Sequence, residues 1–469
     1  MSNYKHYSWS AINRITVQSI GFIGNIIIAR QLTPDDYGLV AMLSILIGIA
    51  WNLTESGFAD SLIRKQDPDN KDYSTIFVHN ICIGLILYII LYSIAPYIAD
   101  FFKRKELLEI TRVLGLSIII KAVSVTEFTR MRKELLFKNT AIIQILASIF
   151  SVITGYTFAR YGYGYWAIVS QTISLGLFSI LLIIVINKWK PYFYFSWSRF
   201  KEMRGFSNNM LLSYFTNQIG QNIYSVFIGK FHPTSQLGFF NQATKLNETN
   251  FQGINAIILT TSYSIVAKEK DRNKRRDIYN NILEHFLFIQ FFISFIVIGS
   301  APLIVEFVFG NKWIQTAPYL QLITISFLFI PLTTINSNIL KTENRSDTYK
   351  NLTFLRNGLM FISLFITYKY SITIILYGTI IARYISVFID LIVCGKIINL
   401  MPIHQLTIVL DKIYIPISAM LIAYFCSKSI SVTFIHLTSF LLIYSLVFLI
   451  GNQIKKDKIQ QYYLNFLKK

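Results

Sequence analysis

Apolar runs of about twenty residues recur along almost the whole chain, each ended by a short polar or basic stretch. They lie near residues 9–31, 38–58, 75–99, 107–128, 139–159, 163–187, 206–230, 236–263, 280–308, 315–340, 351–369, 372–399, 408–427 and 430–451. A run of this length crosses a hydrocarbon core of about 30 Å. Inside lipid a single segment can satisfy its own backbone N–H and C=O groups only as a helix. The pattern predicts an all-α, polytopic membrane protein with about fourteen transmembrane helices. The first run reads as a full span and not as a cleavable signal, because Arg14 and Gln18 interrupt it and no small-residue cleavage site ends it.

The pattern also repeats. At an offset of 200, Gln18 corresponds to Gln218, Arg30 to Lys230, Gly38 to Gly238 and Asn52 to Gln252. At an offset of 206, His79 corresponds to His285, Ala95-Pro96 to Ala301-Pro302, Asp100 to Glu306 and Phe101 to Phe307. Ordered matches at nearly constant offset indicate duplication. Each half has six spans, an even number, so the halves are parallel repeats about an axis along the membrane normal, with a binding site expected between them. The expected organisation is an N-terminal lobe over 1–187, a cytoplasmic linker over 188–205, a C-terminal lobe over 206–399, and two extra helices with a basic tail over 400–469. The linker segment "NKWKPYFYFSWSRFKEMRGF" (187–206) is basic and aromatic, as suits an interfacial strap. "ARQLTPDDYG" (29–38) and "GKFHPTSQLG" (229–238) read as equivalent outer hairpins, since Pro and Gly break helices there.

Composition agrees with the pattern. The chain of 469 residues is 53% hydrophobic and 14% charged, where soluble domains carry about 25% charged residues. The net charge of +20 would suit nucleic acid, but its placement argues otherwise. Alternate loops form a rich and a poor set, the rich set holding roughly three times as many Lys and Arg, which puts it and both termini in the cytoplasm. The charge is topological, and no nucleic-acid partner is expected. Cys82, Cys394 and Cys426 fall inside apolar runs and read as packing residues. There is no Walker A sequence, no metal-ligand spacing and no nucleophile elbow, so neither an enzyme nor a cofactor is indicated.

Polar residues within spans carry the functional information, because a charge at a helix centre costs about 2.5–3.5 kcal/mol on insertion scales. In the eighth span Asn241, Lys245, Glu248, Gln252 and Asn255 recur at steps of four, three, four and three, on one helix face. Two readings stand: a cavity wall, or a buried seam with Lys245 and Glu248 paired at i,i+3. The first span carries Arg14, Gln18, Gly21 and Asn25. The seventh has Asn217 with Gln218 and Gln221 beside it, and the second has Asn52 and Glu55. These are equivalent helices in the two halves, and together they describe a hydrophilic cleft between lobes. Lys121 and Arg383 lie deep in the fourth and twelfth spans, and Asp390 is two turns from Arg383. Arg356, near a span end, reads as snorkelling, and Arg14 has that alternative too. Bases in a low dielectric suit an anionic ligand, with arginine suited to phosphate oxygens. Glu55, Glu248 and Asp390 are candidates for a coupling cation or proton, with neutralisation of a neighbouring base as the alternative for each.

"IIIARQLTPDDYGLVAM" (26–42) followed by "ESGFADSLIRKQD" (55–67) resembles the start of the Wzx-type polysaccharide flippases, within the multidrug/oligosaccharidyl-lipid/polysaccharide exporter superfamily. The resemblance runs from about residue 8 to 450. It implies translocation of an undecaprenyl-pyrophosphate-linked oligosaccharide across the bacterial inner membrane by alternating access, with a polysaccharide polymerase as a candidate partner. Carried over by position, it assigns pyrophosphate contacts to Arg14 and Lys245. The second helix here lacks the deep base that relatives carry, so Lys121 and Arg383 are the candidates to replace it. The glycan would face Gln18, Asn25, Asn52, Asn217, Gln218, Gln221, Asn241, Gln252 and Asn255. A cation-coupled multidrug exporter and a membrane glycosyltransferase or polymerase are the rival readings.

Overall fold

The computed structural model describes residues 2–55, 58–188, 190, 192–268, 271–343, 345–398, 400–430, 432–455 and 459, with some side chains inside the helices left out of the description. The described residues form seventeen α-helices and one 3-10 turn, with no strand among them. By packing the chain divides into two compact units, Met1–Gly238 and Phe239–Lys469.

The first unit holds α1 (Ser2–Gln31), α2 (Pro34–Met42), α3 (Ser44–Glu55), α4 (Phe58–Arg64), α5 (Asn70–Phe102), α6 (Glu106–Lys133), α7 (Phe137–Arg160), α8 (Trp166–Asn187) and α9 (Trp197–Phe231). Residues 234–238 open α10 (Thr234–Lys268). The second unit continues with α11 (Arg272–Phe309), α12 (Thr316–Phe327), α13 (Ile330–Thr342), α14 (Ser346–Thr367), α15 (Ile372–Ile398), α16 (Pro402–Ser427) and α17 (Thr433–Ile454). The second expected span is realised as α2 and α3, and the tenth as α12 and α13 with Pro331 in the first turn of α13. Nine described stretches are long and apolar enough to cross a membrane, and α2 with α3–α4 makes a tenth. The more polar α6, α9, α10 and α14 complete the fourteen. They are more polar because they carry Lys121, Gln218, Lys245 and Arg356.

The "TPDD" turn is a helix start. Thr33 Oγ1 accepts from the Asp36 amide at 3.4 Å, and Asp36 accepts from the Thr33 amide at 2.9 Å, with Pro34 in the first turn. Its repeat partner packs directly against it. A Cβ built on Gly38 would fall nearer than 3.0 Å to the Thr234 carbonyl oxygen, and one on Gly238 equally near the Pro34 carbonyl oxygen. The two equivalent hairpins thus meet backbone to backbone, and each glycine makes room for the other hairpin. Arg104 donates to Thr234 Oγ1 at 2.8 Å, and Lys230 donates to the Phe101 carbonyl and stands 4.2 Å from that ring.

α9 starts at Trp197, well before the expected 206, and runs unbroken to Phe231. The reason is a dock at its first turns. Arg199 lies 2.5 Å from Asp69 and 2.8 Å from Asp72, while Lys65 bridges Asp72 at 3.1 Å and Glu202 at 3.2 Å. Phe200 stacks on Phe58, and with Met203, Leu62 and Ile76 they form a small apolar core. Partial burial pushes the Asp69 carboxyl up, but the Asp72 amide and the Arg199 guanidinium together outweigh it and hold it below its ordinary value. α9 also packs along α3, within the unit that ends at Gly238.

In the second unit α16 and α17 pack onto α11 through a core that includes Phe291, Ala419, Phe440 and Tyr444. The Tyr279 hydroxyl lies 2.9 Å from Asn336 Oδ1 and 2.8 Å from Gln405 Oε1, and Tyr444 donates to the Phe292 carbonyl at 3.0 Å. The two helices without a repeat partner are therefore integral to this unit.

Candidate functional site

α1 and α10 carry the two open polar faces. On α1, Arg14, Gln18 and Gly21 are exposed, and a Cβ on Gly21 would meet nothing within 4 Å. Asn25 is half-buried and accepts from the Tyr37 hydroxyl at 3.2 Å, so it ties α1 to α2 across their hairpin. On α10, Lys245 and Glu248 are exposed and Asn241 is half-buried. Gln242 and Asn247, on an adjoining face, are fully buried, and Asn247 accepts from Thr324 at 3.1 Å. The helix thus has both a packed seam and an open stripe, and the charged pair lies on the open one. The side chains of Asn217, Gln221, Gln252 and Asn255 lie outside the described residues.

The first unit encloses a polar cavity of about 450 Å³ between α1, α3, α6 and α7. Glu55 accepts from Lys121 at 3.3 Å and lies 3.7 Å from Arg132. Lys121 also stands 5.5 Å from the Trp51 ring, whose indole donates to Ser117 at 3.2 Å. Asn13 donates to Gln144 at 2.8 Å on the opposite wall. Glu55 and Lys121, singled out separately in the sequence, are one ion pair, and their cavity carries a net positive charge with Arg132. Asn52 and Gln218 also meet: the Asn52 amide donates to Gln218 Oε1 at 3.1 Å, joining α3 to α9.

In the second unit Arg383 covers the Phe327 ring at 3.9 Å and is half-buried. Asp390 is buried, and its partner is Arg356, which reaches it at 2.6 Å and also lies 3.4 Å from Ser337 Oγ. Arg356 therefore points inward and does not snorkel. The pair shields both charges from lipid and ties α13, α14 and α15 together. Sequence reasoning missed Arg132, Asn13, Gln144 and this role of Arg356. Gln144 was discoverable as a polar residue inside the fifth span. Arg132 was not, because a base at a helix end counts as a loop charge.

Long apolar helices, with bases and amides exposed on α1 and α10, define a multi-pass membrane protein. The chain belongs to the polysaccharide biosynthesis protein family, whose model matches residues 27–318. It is similar to the teichuronic acid biosynthesis protein TuaB of Bacillus subtilis (strain 168), 25% identical over 72% of this chain and 71% of that one. It is similar also to the lipopolysaccharide biosynthesis protein WzxC of Escherichia coli (strain K12), 22% identical over 68% of this chain and 65% of that one. Its fold is that of the lipid II flippase MurJ in an inward closed conformation, with a TM-score of 0.74 over 96% of this chain and 99% of that one at 18% identity. The resemblance carried by residues 26–42 and 55–67 is borne out at the level of family and fold.

Proposed function

We propose that the protein is a flippase, which moves an undecaprenyl-pyrophosphate-linked oligosaccharide (an O-antigen, capsule or exopolysaccharide repeat unit) from the cytoplasmic to the periplasmic leaflet of a bacterial inner membrane. The observation that carries this is the exposure of Lys245 and Glu248 beside half-buried Asn241 on a membrane-length helix, with Arg14 and Gln18 likewise exposed on α1. An open face of bases and amides suits a ligand that is phosphate at one end and polyhydroxyl at the other. Lys245 and Arg14 take the pyrophosphate, Gln18 and Asn241 face sugar hydroxyls, and the polyprenyl tail stays in lipid. Access alternates between the two leaflets, both termini are cytoplasmic, and Glu55 or Glu248 couples the change to an ion gradient.

A charged hydrogen bond contributes about 1.5–3 kcal/mol, or about 10- to 150-fold. Lys245→Ala is expected to slow translocation of lipid-linked oligosaccharide in proteoliposomes by about that factor, with Lys245→Arg retaining most of the rate. An unchanged rate in Lys245→Ala removes this residue from the site.

A further inference from the structure

A second cavity lies in the first unit, lined by none of the residues proposed to contact the transported substrate. It measures about 520 Å³, within the range of small-molecule sites, and sits between α5, α6 and the segment that joins α8 to α9. Its charged lining residues are Glu127, Arg130, Lys188 and Lys190. Glu127 is buried and already satisfied: Arg130 donates to it at 2.7 and 2.9 Å, and Asn187 donates to it as well. The two lysines at the exposed mouth therefore set the sign of the site, which is positive.

The joining segment is a strap fastened to α5. Ser74 donates to the Tyr192 carbonyl and accepts from the Tyr194 amide at 2.7 Å, and the Ser196 amide donates to Thr75 Oγ1 at 3.3 Å. Fastened this way, the strap displays a row of aromatics outward: Tyr192, Phe193, Phe195 and Trp197 are 56%, 72%, 43% and 55% exposed. Exposed aromatic rings beside lysines at the end of a helix bundle are the arrangement of a bilayer interface. The strap begins at Lys188, the C-cap of α8, which holds a left-handed φ of 50°. Glycine is the residue that position favours. A lysine there gives up backbone ease for a charge directed at the cavity mouth.

We propose that this cavity binds the headgroup of an anionic glycerophospholipid, with the phosphate on Lys188 and Lys190 and the acyl chains alongside the strap aromatics. The lipid adds to the hydrogen bonds that hold the strap against α5. Basic pockets between helices at a membrane face recognise anionic headgroups in this way. The exposed apolar faces of that aromatic row favour a lipid over free phosphate, which has no acyl chain to cover them.

The test is thermal unfolding of the full chain in detergent with added phosphatidylglycerol, phosphatidylcholine or inorganic phosphate. Phosphatidylglycerol is expected to raise the midpoint by about 2–4 °C over phosphatidylcholine, and inorganic phosphate should leave it unchanged. The Lys188→Gly, Lys190→Gln double variant is expected to lose the increment while keeping the basal midpoint, because glycine suits the left-handed position. Equal midpoints in the two lipids, an increment that survives in the double variant, or an increment reproduced by inorganic phosphate alone would overturn the proposal. None of these outcomes depends on the identity of the transported substrate.

Discussion

Replacing Gly238 with valine is expected to abolish transport while leaving the chain folded. Gly238 stands against the Pro34 carbonyl, and Gly38 stands against the Thr234 carbonyl. A side chain at either position meets backbone, which cannot swing aside as a flexible side chain can. The equivalent hairpins must then part. Overpacking of this kind costs about 1–3 kcal/mol, which displaces a two-state equilibrium by about 5- to 150-fold. If this contact closes the outer end in one half of the transport cycle, the variant populates the outward-open state. Gly38→Val should behave like Gly238→Val because the contact is reciprocal, and the alanine variants should be milder. The check is the reaction rate of a cysteine at Asp35 with an impermeant maleimide, in a chain whose Cys82, Cys394 and Cys426 are serine. Faster labelling with lost transport is expected. Wild-type labelling and transport in both valine variants would show that the hairpins yield without consequence.

The second large effect is on stability. Asp390→Ala leaves the Arg356 guanidinium with Ser337 as its one remaining hydrogen-bond partner among the described residues. Breaking a buried pair by removing one partner costs about 3–5 kcal/mol. A fall in the unfolding midpoint, largely restored in the Asp390→Leu, Arg356→Leu double variant, is the expected outcome, since two apolar residues leave no uncompensated charge. Asp390→Asn discriminates this structural role from ion coupling. A chain that keeps its stability but loses its dependence on an ion gradient would make Asp390 a coupling residue.

Much of this was legible in the sequence, for definite reasons. Twenty-residue apolar runs have one solution in lipid, so the helices could be counted without a structure. The offset of 200 tied Gly38 to Gly238, and only the coordinates revealed that each of them faces the backbone of the other hairpin. Polar stripes were visible because their spacing is local. Pairings between distant residues were not. Glu55 and Lys121 stood as unrelated candidates until α3 and α6 brought them to 3.3 Å. Asp390 had Arg383 two turns away on its own helix, but its partner is Arg356 on α14. Helix periodicity shows which side chains share a face; it does not show which face of another helix comes opposite. The start of α9 was misplaced for a related reason. Residues 197–205 are too polar to read as a span, and they are helical because Arg199, Phe200 and Met203 have partners on α4 and α5.

Passage of lipid-linked oligosaccharide through this protein is measured most directly as the leaflet distribution of that intermediate in cells depleted of the chain, read by its accessibility to an externally added glycan-modifying enzyme. The intermediate is expected to accumulate in the cytoplasmic leaflet; the wild-type chain should restore its outward movement, and Lys245→Ala should not. Normal arrival at the outer leaflet without the protein would show that it is not the flippase.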